Sequence, residues 1–409
     1  MLPRVGANYH LFRNTVVRGG YGIYQLPSIG FNALSNTSAS TVNATFQTPT
    51  GSFTPAYQLS QGVPAYSPNV GPNGQPLIPS SLTNPTFSPV QLQLTAVLPY
   101  LQEWQFGVQQ DLGHNWIAEF NYMGNHGVHL PVVLPVNQIA PSANCCFGVK
   151  TAQTLRPYPQ FLTVYDVTNG GAAAYAAFFA TLSHRWTNGI SVRAAYTLAH
   201  TLDDVDGGTL TPLLQNVYNL HAQWGTAKTS IPQRFSLSAV YALPVGSGGR
   251  FLPATPVVSQ VIGHWKVSTV AQFQVGLPYN VSQSDQLQIG SNGQFVTETG
   301  NPNIARGSRT VAKWFNTAAF SITPPNTLGT GPRASFYGPG QNVWDISLMR
   351  DIPLWEHAAF TLRVDAHNAF NHPQFSGLNT TLSATNTAFG TVTGAQDPRS
   401  LLLVGRLRF

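Results

Sequence analysis

The chain has 409 residues, of which 8% are Asp, Glu, Lys or Arg, 43% are hydrophobic and 11% are aromatic. An ordinary soluble domain carries about 25% charged residues; here Gly, Ser, Thr, Asn, Gln and Pro fill the gap, which suits a wall with lipid on one side and water on the other. The formal charge of +6 comes from scattered basic residues without a Lys/Arg cluster, which argues against nucleic acid as a partner and leaves anionic lipopolysaccharide, or nothing specific, as the counter-charge.

No stretch approaches the ~20 consecutive apolar residues of a spanning helix, so entry into a membrane requires strands. Segments of about 9–11 alternating residues, the length of a tilted membrane strand, recur along the chain. In order they are Arg4–Leu11, Thr15–Tyr24, Leu101–Gln110, Trp116–Gly124, Ala174–Trp186, Ile190–Ala199, Gln233–Leu243, Trp265–Gly276, Val343–Arg350, Ala358–Asn368 and Ser400–Phe409. Residues 91–97 leave room for a further hairpin. The alternation is clearest in Ala358–Asn368, where Phe360, Leu362, Val364 and Ala366 oppose Thr361, Arg363, Asp365 and His367. Period two over such lengths is a strand signal. The expected fold is therefore all-β: an antiparallel transmembrane β-barrel wall of about eleven strands.

The connections sort by parity. Those at Phe12–Asn14, Asp111–Asn115, Thr187–Gly189 and Asp351–His357 are short, and Pro244–His264 is somewhat longer. Between them lie long ones at Gln25–Tyr100, Asn125–Ala173, His200–Pro232, Leu277–Asn342 and Ala369–Arg399. Short periplasmic turns and long extracellular loops are the pattern of bacterial outer-membrane barrels. With Ser400–Phe409 running inward, every long loop falls outside. Trp116, Trp186, Tyr241, Trp265 and Phe360 then form an inner aromatic belt; Tyr21, Trp104, Tyr122 and Trp344 form an outer one.

The last ten residues, SLLLVGRLRF, place Leu401, Leu403, Gly405 and Leu407 in phase before a terminal Phe409. That ending is similar to the signature read by the barrel-assembly machinery. An ordered series of stretches resembles the Oar-like branch of TonB-dependent receptors. It includes TVVRGGYGIY at Thr15–Tyr24, LPYLQEWQFGVQQDLGHNWIAEFNYMGNHGVHL at Leu98–Leu130, PYPQF at Pro157–Phe161 and LSHRWTNGISVRAAYTLAHTLDD at Leu182–Asp204. It continues with PQRFSLSAVYALPVG at Pro232–Gly246, GHWKVSTVAQFQVGLPYNV at Gly263–Val281, KWFNTAAF at Lys313–Phe320 and HNAFNHPQF at His367–Phe375. The resemblance implies TonB-energised uptake of a ligand, with TonB and the barrel-assembly machinery as partners. It also implies an N-terminal carboxypeptidase-regulatory-like domain, a TonB box, a plug and a 22-strand barrel. The first three have no counterpart in this sequence, and MLPRVGANYHLF lacks the apolar core of a signal peptide. The chain is therefore expected to be the second half of such a barrel, residues 1–409 forming one segment that is inactive alone. Two other readings remain: a surface protein that adheres or assists secretion, and a soluble glycan-binding β-protein.

No enzyme chemistry is expected. HNAFNH puts His367 and His372 five apart, off any one strand face, so no metal site is expected there. DDVDGG at Asp203–Gly208 resembles a calcium loop but has Leu214 where an EF-hand needs a carboxylate. GSGGR at Gly246–Arg250 opens no helix and reads as a turn. Cys145 and Cys146 are adjacent, and a vicinal disulfide between them would be strained. No cofactor is expected. Arg363, Asp365 and His367 are candidates for the lining of a wet lumen. Trp224, Trp314 and Phe315, on presumed outer loops, are candidates for contact with an unidentified ligand.

Overall fold

The computed structural model describes residues 2–26, 58, 60, 88–92, 97–141, 150–204, 214–245, 263–284, 290, 293–324, 327–355 and 358–409. Eleven strands form the path of its main sheet, with the short Val90–Leu92 and Gly225–Thr226 paired beside it: β1 (Arg4–Phe12), β2 (Thr15–Gln25), β3 (Tyr100–Gly113), β4 (Trp116–Pro135), β5 (Tyr165–Thr187), β6 (Ile190–Asp203), β7 (Gln233–Ala242), β8 (Trp265–Gln274), β9 (Gln341–Trp355), β10 (Ala358–His367) and β11 (Ser400–Arg408). Each pairs antiparallel with its neighbour in chain order, so the sheet is a continuous meander from β1 to β11. Among the described residues β1 and β11 share no ladder, and both are exposed along their length. All eleven alternating segments of the sequence are strands of this sheet.

The register makes the sheet two-faced. Tyr196 pairs with Phe235, Phe235 with Phe273, and Phe273 with Asn342, so these side chains share one face. The same face carries Trp116, Phe120, Leu237, Trp265, Trp344, Phe360 and Leu403. The other face carries Arg18, Glu119, Arg193, Lys266, Ser347, Asp351, Arg363 and Asp365. Arg350 is the exception on the apolar face, and its guanidinium lies 5.6 Å from the Trp265 ring centroid. Long cations cover apolar surface in this way while the head reaches water.

The turns follow local chemistry. Thr187 and Ile190 flank Asn188 and Gly189, both at positive φ (52° and 79°). That is the two-residue turn whose twist matches a hairpin. A side chain at Gly189 would also crowd Ala242, 3.3 Å from a built Cβ.

One sequence expectation needs correction. Residues 125–173 do not form a loop throughout: β4 and β5 stay paired to Pro135 and Tyr165, so a long ribbon rises past the neighbouring strands. Cross-strand backbone bonds continue there without strict polar–apolar alternation, which is why the pattern gave no warning. The room left for a hairpin at residues 91–97 lies mostly outside the described residues; Val90–Leu92 pairs in parallel with Tyr165–Val167.

Candidate functional site

Two regions gather polar and aromatic chemistry. The first is the polar face of β8–β11. Arg363 Nε lies 3.0 Å from Asp365 Oδ2, and Ser347 Oγ donates to Asp365 Oδ1 at 2.6 Å. His367 Nδ1 lies 3.6 Å from Asp345 Oδ2. Further along, Asp351 meets Lys266 at 3.0 Å and Arg408 at 3.4 Å and accepts from Thr361 Oγ1 at 2.7 Å. Arg363, Asp365 and His367 thus lie together on the polar wall, engaged with one another and with β9. His372 is elsewhere. Its N–H donates to Asn368 Oδ1 while Asn368 Nδ2 donates to its carbonyl, so HNAFNH builds a tight turn rather than a ligand pair. Among the described residues no group of His, Cys, Asp or Glu clusters as metal ligands.

The second region is a cap on the long-loop side, which sequence patterning did not reveal. The connections after β8 and β10 share an apolar core of Val281, Val296, Phe315, Ala319, Phe320, Phe336 and Leu378. Phe315 is 1% exposed; its ring centroid is 4.1 Å from Phe336, 5.3 Å from Phe389 and 5.7 Å from Phe320. The proposed contact of Phe315 with a ligand is therefore corrected: its faces are occupied by other rings, and it packs the cap. A barrel wall has lipid and water on its two faces, so this loop cluster is where the described chain builds a protein-only core.

Buried amides tie the other loops to it. Gln138 Nε2 donates to Gln215 O at 2.7 Å, and Gln215 Oε1 accepts from Phe295 and Gly329 N–H at 3.0 and 2.9 Å. Gln283 Oε1 accepts from Thr323 N at 2.9 Å. Arg333, buried, bonds Asp203 Oδ1 at 2.6 Å and donates to the carbonyls of Asp203 and Gln223. The described part of DDVDGG is therefore used structurally: Asp203 holds Arg333, and Asp204 Oδ1 accepts from Ala172 N at 2.7 Å. Burial pushes the Asp204 carboxyl above its usual range, helped by the nearby Asp203 charge and opposed by its backbone hydrogen bonds and Arg333.

Trp224 and Trp314 are half-buried. Trp314 Nε1 donates to Tyr337 O at 3.3 Å, and the Arg309 guanidinium lies 5.5 Å from its ring centroid. Phe409 follows β11 and is 93% exposed. Cys145, Cys146 and the GSGGR stretch lie outside the described residues.

A meander with one continuous apolar face, one ion-bearing face and strands near the ~9–11 residues that cross a bilayer is a transmembrane barrel wall. The chain belongs to the outer membrane beta barrel domain family, which it matches over residues 1–401. Its place is the cell outer membrane, and the soluble glycan-binding reading is set aside. No curated relative matches it. In solved structures it is similar in fold to the outer membrane transporter YddB from Escherichia coli (11% identity, 97% of this chain and 39% of that one, TM-score 0.49). It is similar also to FpvA of P. aeruginosa in complex with iron and a heterologous pyoverdine (12%, 100% and 32%, 0.44). A third is the ferric-catecholate import receptor Fiu from E. coli K12 (13%, 99% and 34%, 0.43). The chain spans less than two-fifths of the length of each.

Proposed function

We propose that this chain is one part of the barrel of an Oar-like TonB-dependent receptor, which binds a ligand at the cell surface and passes it through a gated lumen. The single observation that carries this reading is the open eleven-strand meander, polar on one face and capped by packed long loops. Each free edge strand has nine residues. About half its backbone groups point away from its one neighbour, and each costs several kcal/mol if left unpaired in lipid. The total is on the order of tens of kcal/mol per edge, so further strands must cover both. Eleven antiparallel strands also leave β1 and β11 running the same way. Antiparallel closure then needs an odd number of added strands, and eleven more give the even 22 that the resemblance implies.

Arg363, Asp365 and His367 line the ligand path in this reading, with half-buried Trp314 in the cap and half-buried Trp224 in the connection after β6 as loop contacts. TonB acts through a part of the receptor outside this chain, and the barrel-assembly machinery reads Phe409. The test is the genomic sequence beside this coding region together with the size of the native protein in outer-membrane fractions. A plug-encoding segment joined in frame, with a native band far above 44.1 kDa, is expected. A native band at the size of this chain, with no plug nearby, would overturn the receptor reading.

A further inference from the structure

Where β7, β8 and β9 meet the cap beside Tyr196 of β6, a cleft of about 850 Å³ opens at the rim of the wall. Phe235 and Phe273 reach it from the apolar face and Arg234 from the polar face, while Arg306, Arg309 and Trp314 come from the connection after β8. Its lining contains three arginines and no Asp or Glu. Among the described residues none of the three arginines forms an ion pair with a carboxylate. Arg234 Nε is engaged only by the neutral Gln274 Oε1 at 3.0 Å, and Arg309 Nε by the Ile304 carbonyl at 3.4 Å. Arg309 is half-buried, and burial together with the Arg306 charge pushes its guanidinium below the usual range. Holding two guanidinium groups close without a counter-charge is unfavourable, and an anion between them relieves it. Planar forks of this kind match phosphate and carboxylate oxygens in pairs.

We propose that this cleft is an anion site, in which Arg306 and Arg309 hold a phosphate or carboxylate and the Trp314 ring, 5.5 Å from the Arg309 guanidinium, backs it. Arg234 adds positive charge at the mouth. Two sources share this chemistry. Phosphates of lipid A reach the rim from the outer leaflet, with acyl chains against Phe235 and Phe273; a soluble anion reaches it from the medium. The inference rests on the rim geometry and not on TonB-energised uptake.

The test uses the native protein, purified from outer membranes in neutral detergent micelles, and follows its thermal midpoint and tryptophan emission. Titrants are lipid A, monophosphoryl lipid A, inorganic phosphate and citrate. Saturable binding of at least one is expected, weakened about tenfold or more by Arg306→Ala with Arg309→Ala, and unaltered by Arg13→Ala in the exposed turn after β1. The Arg306→Lys, Arg309→Lys pair keeps the charge but loses the fork, and is expected to bind with intermediate strength. Preference for lipid A over the monophosphoryl form assigns the site to the leaflet; binding of phosphate or citrate without that preference assigns it to a soluble ligand. An unchanged chymotryptic pattern in the absence of titrant shows that the variants fold. No saturable binding of any titrant, or equal binding by the folded double-alanine variant, overturns the proposal. A native protein without a plug would end the receptor reading and leave this site standing.

Discussion

Replacing Phe315 with alanine should unfasten the cap while leaving the wall intact. The ring is 1% exposed and stacks on Phe336 at 4.1 Å, with Phe320 and Phe389 edge-on at 5.7 and 5.3 Å. Removing a buried phenyl ring costs about 3–5 kcal/mol, because the cavity collapses only partly. At about 1.4 kcal/mol per tenfold, the open population of the cap should rise by roughly two to three and a half powers of ten. The assay is limited trypsin digestion of the native protein in micelles, since Arg306, Arg309, Lys313 and Arg333 all lie in the connection after β8. Cleavage that follows the open population should accelerate there by ~100-fold or more, while sites in strands such as Arg193 and Lys266 stay protected. Val311→Ala, at a residue 49% exposed, serves as the control and should change little. Equal cleavage of Phe315→Ala and wild type would show that the loops do not form one unit around this ring.

Charge on the two faces should be tolerated unequally. Leu237→Arg, on the apolar face of an interior strand, should cost about 2–4 kcal/mol near the midplane and lower outer-membrane levels; Ser238→Arg, one residue on, should be assembled normally. Equal yields of the two variants would contradict the register. Ion pairs should differ by setting as well. Arg333→Ala strands the buried Asp203 carboxylate and should cost about 3–5 kcal/mol, whereas Asp351→Ala on the wet wall should cost roughly 0–1 kcal/mol after solvent screening; thermal midpoints that reverse this order would refute it. Asp204 supplies a pH dependence. Its folded-state pKa is raised by burial, so its contribution to stability is full below the ordinary carboxylate range and is lost as pH rises through the raised value. Asp204→Asn should flatten that part of the midpoint-versus-pH curve, and an unchanged curve would assign the dependence to another group. Deletion of Phe409 should reduce assembly of the native protein in the outer membrane, and unaltered assembly would mean that the chain end is not read.

The strands were legible because lipid imposes one rule on every one of them: alternate side chains must be apolar. Phe360, Leu362, Val364 and Ala366 against Thr361, Arg363, Asp365 and His367 show that rule, and their pairing with β11 follows it. The ribbon from Val128 to Pro135 was not legible, because beyond the alternating stretch its pairing rests on backbone bonds that carry no side-chain pattern. The cap was hidden for another reason. Gln215 meets Phe295 and Gly329 across 80 and 114 residues, and nothing local in either segment announces the other. Phe315 and Trp314 are adjacent and aromatic, yet one packs the core and the other faces Arg309. Arg306 and Arg309 carried a faint signal, two cations in RGSR without a nearby acid, which acquires meaning only beside the ends of β7 and β8.

The most direct test of the wall itself is cysteine labelling along β7 and β8 in outer membranes, with Cys145 and Cys146 replaced by serine. Residues 233–242 and 265–274 are replaced one at a time and exposed to a membrane-impermeant maleimide. Labelling with period two is predicted: Arg234, Ser236, Ser238, Lys266, Ser268 and Gln272 positions react, and Phe235, Leu237, Ala239, Val267, Ala271 and Phe273 positions do not. Uniform labelling along both strands, or reaction confined to the second set, would contradict a barrel wall with this face toward lipid.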